Sequence, residues 1–232
     1  MRQPAHPALI ERTAVALIRL FWLFALPPSV AATLVVVVSV ASQLQSLPTV
    51  WRSIEFKRLA PFALPGLAAV PIGTLLLSEV DVQAFKTAVG GVLLAYMLMS
   101  LLARTTKPVA WGGRLGDGVI GAAGGVLGGL AGLSGPLPTM WANLRGWTKD
   151  EKRSVIQGFN LTILLVALVA HLVGGFFTAQ LLLSAAVALP VAAAGTWLGV
   201  RCYGRVNGRQ FTRLLLILLG ASGLSLAWTG LA

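Results

Sequence analysis

The chain has 232 residues, 56% of them hydrophobic and 11% charged, with a mean hydropathy of +0.83. That composition excludes an ordinary soluble domain and places the chain in a lipid bilayer. The net charge of +11 does not make it a nucleic-acid binder, because most of its 18 basic residues fall in short clusters between apolar runs and not along one face. The one cysteine, Cys202, excludes an internal disulfide and a zinc cluster, and no cofactor or metal is expected.

Residues 1–26 contain an apolar run at 13–26 that Arg19 interrupts, followed by Pro27-Pro28 in place of a small-residue cleavage site, so a cleaved signal peptide is not expected. Further apolar runs follow at 29–44, 60–78, 82–103, 118–140, 154–177, 181–200 and 211–231, each near the length that crosses the hydrocarbon core. Four basic clusters separate them: Arg52/Lys57/Arg58, Arg104/Lys107/Arg114, Arg145/Lys149/Lys152/Arg153 and Arg201/Arg205/Arg209/Arg213. The other connections are acidic at Glu79-Val80-Asp81 and uncharged from Phe177 to Gln180.

Short loops rich in Lys and Arg stay on the cytoplasmic side, so all four clusters belong on one face. Simple crossings cannot put them there. If 118–140 crossed fully, the clusters before and after it would lie on opposite sides. The conflict disappears when 118–140 enters and returns on the same face as a broken, re-entrant helical hairpin. Its sequence suits this: eight glycines between 118 and 138 allow close backbone approach, and Ser134, Gly135, Pro136 and Pro138 interrupt the helical hydrogen-bond ladder. Three spans before the hairpin then run opposite to three after it. Ala63-Leu64-Pro65 with Gly73-Thr74 and Phe85 are weakly echoed by Ala188-Leu189-Pro190 with Gly195-Thr196 and Phe211. The expected fold is an all-α polytopic membrane protein of two inverted-topology halves of about three spans each. It forms one membrane domain over 1–232, with an N-terminal segment at 1–26 and halves at 27–103 and 117–231.

No catalytic constellation is visible: His6 and His171 are the only histidines, and the carboxylates lie near predicted membrane ends. An enzyme is not expected. The break at Ser134-Gly135-Pro136 is the strongest local candidate, because the N-terminus of a second half-helix presents free N–H groups and a positive dipole end to an anion. The glycines before it, Gly121, Gly125, Gly129 and Gly132, are read either as part of that site or as small residues that permit tight helix packing. Gln157 and Asn160 share one helical face, where their amides either bind an oxyanion or join helices. Thr33 occupies a comparable place in the first half. A lone histidine such as His171 is more often a hydrogen-bonded packing residue than a proton relay. Lys86 and Asp117 are read as snorkelling span-end residues, and the tryptophans, Trp141 and Trp147 among them, as interfacial anchors.

The run Gly124-Gly125-Val126-Leu127-Gly128-Gly129-Leu130-Ala131-Gly132-Leu133-Ser134-Gly135-Pro136 resembles the glycine-rich signature of the sulfite exporter TauE/SafE family. Residues 153–160, the Pro28-Ser29-Val30-Ala31-Ala32-Thr33 run and Pro71-Ile72-Gly73-Thr74 carry the same resemblance, which covers about 27–231. It implies a permease for small sulfur-containing or organosulfonate anions in the bacterial inner membrane, working by alternating access, with a small anion and the lipid bilayer as partners. It points to Gly132, Ser134, Gly135 and Pro136 as substrate-binding, with Gln157 and Asn160 as neighbours. Ser134 and Pro136 stand where family members often carry glycines, and residues 1–26 contain no glycine where members carry a first copy of the signature. A homo-oligomer is left open. The alternative reading is a non-transporting membrane scaffold or assembly subunit derived from such a permease.

Overall fold

The apolar runs fold as helices almost throughout. The computed structural model describes residues 27–50, 55–102, 112–202 and 208–231, and these form helices and short connections with no strand among them. In chain order the helices are α1 (Pro28–Val50), α2 (Phe56–Glu79), α3 (Val82–Leu102), α4 (Gly113–Ala131), α5 (Pro136–Leu144), α6 (Lys149–Val173), α7 (Ala179–Cys202) and α8 (Gly208–Leu231). The expected run at 13–26 with Arg19, together with His6, Arg52, Arg104, Lys107 and Arg205, lies outside the described residues, and so do the side chains of Thr196, Arg201, Cys202, Arg209, Phe211 and Arg213.

Among the described residues four stretches are long and apolar enough to cross a membrane: Pro28–Gln45, Phe56–Glu79, Val82–Leu101 and Ser154–Val173. Ala179–Gly195 and Leu216–Gly230 are shorter apolar stretches. Prolines 61, 65 and 71 sit inside α2, and Pro190 inside α7, without ending either helix. A bilayer tolerates such prolines where neighbouring helices re-satisfy the freed carbonyls.

Within lipid, apolar burial gives little drive between helices, so close packing and polar contacts must hold the bundle. The tightest contact joins α2 and α4, which run parallel. A Cβ added to Gly121, Gly125 or Gly129 would meet the backbone carbonyl of Phe62, Gly66 or Val70 respectively, so the four-residue spacing is matched on both helices. The structure thus selects the packing reading for these three glycines. On the other side α3 and α8 cross antiparallel, with Gly90 against Ala227 and Gly230 against Thr87.

Helix α1 lies inside the bundle, with Ala31, Ala32, Leu34, Val35, Val36 and Val38 buried, and it packs on α6 and α7. Val36 and Val40 share a core cluster with Val155, Phe159 and Ile163 of α6, and Val30, Leu34 and Val38 share another with Leu181, Ala185, Ala188 and Ala192 of α7. The outward faces of α2, α6 and α7 expose Leu64, Ile72, Leu75, Val169, Leu172, Leu183 and Val187, a belt suited to lipid.

Candidate functional site

The glycine-rich segment folds back on itself. Helix α4 rises over 19 residues, about 28 Å at 1.5 Å per residue, and ends at Gly132 in the left-handed conformation (φ 65°). Gly132 N–H donates to the Gly128 carbonyl, Leu133 N–H donates to the Leu127 carbonyl, and the chain then returns through Ser134 and Gly135 into α5. Pro136 opens α5 at a position where its missing N–H costs no helical bond. The return is complete. At the base of the hairpin the Trp141 indole donates to Asp117 Oδ1 at 2.7 Å, and the Arg145 guanidinium lies 3.9 Å from the same oxygen and 5.7 Å from the Trp141 ring centroid. Trp141 and Asp117 are both buried, so neither is the interfacial anchor or snorkelling residue that the sequence suggested.

Among the described basic residues, Arg58, Arg145 and Lys152 gather at this same end. Arg58 of α2 pairs with Glu55 at 2.8 Å and with Glu151 of α6 at 2.5 Å, Glu55 N–H donates to Ser154 Oγ, and Lys152 donates to Asn143 Oδ1 at 2.9 Å. Thr148 and Glu151 form a reciprocal cap on α6, with Thr148 N–H donating to Glu151 Oε2 at 2.8 Å. The Thr148 bonds and the neighbouring Arg58 guanidinium hold the Glu151 carboxyl below its usual range, while partial burial pushes the Lys152 ammonium below its own.

The two expected site elements meet halfway along the bundle. Ser134 comes back beside Gly124 and Gly128, near the middle of α4, and its hydroxyl donates to Asn160 Oδ1 at 3.0 Å. Asn160 lies near the middle of α6. Its Nδ2 would stand 3.1 Å from a Cβ on Gly135, which brings the amide donor against bare backbone. No other described residue accepts from the N–H groups of Ser134, Gly135 or Leu137. Gln157, one turn before Asn160, is buried, and its Oε1 is a buried polar atom with no hydrogen-bond partner. An unpaired acceptor of this kind costs about 1–3 kcal/mol and is satisfied by a donor, while the Nε2 of the same amide is the atom that can donate to an anion. The site offers directed N–H donors with no fixed charge, on irregular backbone deep within the protein, the type of place where a small anion is held by dipoles.

The remaining expected residues form a second cluster further along the hairpin. Thr33 does not join Ser134 and Asn160. Its hydroxyl lies 2.9 Å from His171 Nδ1 and 2.7 Å from the Ser29 carbonyl, and His171 Nε2 lies 2.6 Å from the Gly129 carbonyl. Gly132 packs against Val35 and Val36 of α1. The clasp at Asp117, Trp141 and Arg145 was not foreseen; the one signal for it was a carboxylate and a cation flanking an otherwise apolar segment.

Three comparisons bear on this geometry. The sulfite exporter TauE/SafE family profile matches residues 13–226. The chain is 30% identical over 204 residues, 84% of this chain and 78% of the other, to a protein of Cupriavidus necator named probable sulfite/organosulfonate exporter TauE. No solved structure matches the chain.

Proposed function

The chain belongs to the sulfite exporter TauE/SafE family, and from that premise we propose that it is a permease for sulfite or small organosulfonate anions in a bacterial inner membrane. The observation that carries the site is the meeting of the broken hairpin with α6, where Ser134, Gly135 and Asn160 come together at mid-depth beside the unpartnered Gln157. A sulfite or sulfonate group presents three oxygen acceptors. Asn160 Nδ2, Gln157 Nε2 and the N–H groups of Ser134, Gly135 and Leu137 supply donors to match, Pro136 and Pro138 having none, and the positive end of the α5 dipole adds to them. Gly132 and Pro136 shape the turn that aims these donors, and Thr33 acts through the neighbouring cluster.

The mechanism is alternating access between two inverted halves, residues 27–103 and 117–231. Three features support it. Helices α1 and α6 face each other, as do α3 and α8, and each pair takes corresponding members from the two halves. The contact of α2 with α6 is answered by that of α7 with α1, as exchange of the halves requires. The basic residues of α2, α5 and α6 meet at one end, which the positive-inside rule assigns to the cytoplasm.

The test is efflux of radiolabelled sulfite from proteoliposomes containing the full chain, run beside Gly135→Leu and Asn160→Leu. Efflux above protein-free liposomes, lost in both variants while each remains folded, is the expected result. Wild-type rates in the variants would remove the site, and no efflux from the wild type would favour the scaffold reading. The topology is tested separately: Trp147→Cys in a Cys202→Ser background should react with impermeant maleimide from the cytoplasmic face, and labelling from outside would overturn the re-entrant assignment.

A further inference from the structure

His171 is fully buried, with one polar contact at each ring nitrogen, and the transport site described above does not use it. Its Nε2 faces the Gly129 carbonyl at 2.6 Å. A carbonyl carries no hydrogen, so Nε2 is the protonated nitrogen. Nδ1 faces the Thr33 hydroxyl at 2.9 Å, and that hydroxyl is also 2.7 Å from the Ser29 carbonyl. Thr33 has a single proton for two neighbours. With a neutral ring, Thr33 donates to Nδ1. With a charged ring, Nδ1–H donates to Thr33, whose own proton turns to the Ser29 carbonyl. Both states are fully paired, and passage between them requires one added proton and the rotation of one hydroxyl.

One feature of the surroundings suits a charged ring. Gly129 belongs to the last turn of α4, whose free carbonyls and negative dipole end attract a cation. No ionisable side chain reaches the ring from the elements around it. The described side chains of α1 and α7 include none, α4 has Arg114 and Asp117 at its other end, and Glu151 and Lys152 of α6 stand at the basic end. Lys57 and Arg58 open α2 at that basic end, while Glu79, Asp81 and Lys86 near the α2–α3 connection make no contact with the ring. The edge of Phe176 closes the cluster at 5.5 Å between ring centroids.

We propose that His171 is the proton-binding residue that couples anion movement to proton movement, with Thr33 as its reversible hydrogen-bond partner. A proton from solution adds to the Nδ1 lone pair and leaves from the same nitrogen, so nothing else is consumed. The protonated ring holds α1, α6 and the end of α4 together through charge-assisted bonds three residues before the Gly132 turn, and the neutral ring loosens them. The hairpin that carries Ser134 and Gly135 is therefore held or released by proton occupancy.

The coupling rests on the permease reading, while the proton binding does not. Two measurements separate them. The full-length His6→Ala variant retains one imidazole, and nitrogen-15 NMR of its ring in lipid nanodiscs reads the protonation state directly. The expected result is a neutral ring with the proton on Nε2 at alkaline pH, converting to imidazolium on acidification. A ring that keeps one state throughout would overturn the proposal. In proteoliposomes, His171→Gln should retain radiolabelled sulfite counterflow at equal pH and lose at least tenfold of the sulfite uptake driven by an imposed pH gradient. Equal losses in both assays would assign His171 to packing alone. Absence of counterflow in the wild type would count against the permease while the NMR titration still decides the proton site.

Discussion

The two limbs of the hairpin are built from the same small residues and use them oppositely. On α4, Gly121, Gly125 and Gly129 let the α2 backbone approach until carbonyls stand where side chains would be, and of these three only Gly129 turns a carbonyl to another element, to His171 Nε2. On the return limb, Ser134 and Gly135 leave the helical ladder, and their bareness exposes N–H groups and admits the Asn160 amide. In the first limb the absence of a side chain closes space, and in the second it opens donors. A glycine-rich signature therefore contains a structural part and a chemical part, separated by the left-handed turn at Gly132.

Substitution separates the parts. Gly125→Leu should be the most damaging change, because its side chain meets the Gly66 carbonyl on a parallel helix that cannot retreat without losing the whole stripe. Overpacking of this kind costs about 3 kcal/mol or more, so the expected outcome is loss of the folded, monodisperse protein on size exclusion. Gly135→Leu meets an amide side chain that can turn aside. The protein should remain folded while sulfite efflux falls at least about tenfold, the equivalent of about 1.4 kcal/mol in the transport barrier. Should Gly125→Leu transport normally, or Gly135→Leu unfold, the division between the limbs would be wrong.

Much of this was legible in the sequence. The conflict between eight crossings and four basic clusters called for a returning segment, and Ser134-Gly135-Pro136 marked where it breaks, because prolines and charge carry their meaning locally. That Asn160 neighbours Ser134 was implied by the family resemblance and not by the residues themselves. What could not be read was register. Whether Gly121, Gly125 and Gly129 face a ligand or a helix depends on the position of Phe62, Gly66 and Val70, some 59 residues away in the chain. For the same reason Thr33 looked like a counterpart of Asn160, whereas the depth of α1 sets it beside His171. Asp117 looked like a snorkelling residue because nothing nearby in sequence announces Trp141 as its donor.

The base of the hairpin extends the comparison with a smaller effect. Trp141→Phe removes the indole donor to Asp117 together with the Cζ2 and Cη2 edge that lies against Gly112 and Gly116. A buried carboxylate then retains the more distant Arg145, for a loss of about 1–3 kcal/mol in unfolding free energy. SDS unfolding in bicelles should register that loss, with transport per folded molecule reduced far less than in Gly135→Leu. A clasp that mattered to the anion site would instead lower transport before stability.

The smallest effect belongs to the cap of α6, outside both limbs. Thr148→Ala removes the acceptor for Glu151 N–H and should cost about 1 kcal/mol. The Glu151 carboxyl is held below its ordinary range by Thr148 and by Arg58, so its share of stability is present above that range and is lost as pH falls through its depressed folded value. Acidification should therefore erode wild-type stability in this window, while Glu151→Gln, already without the charge, shows a shallower dependence on pH over it. His171 stands at the far end of the same hairpin, where its ring lies between Thr33 of α1 and the Gly129 carbonyl of α4. Measuring unfolding against pH in Glu151→Gln and in His171→Gln resolves the two ends of one hairpin as separate titrations, and identical pH profiles in both variants would show that the ends do not act independently.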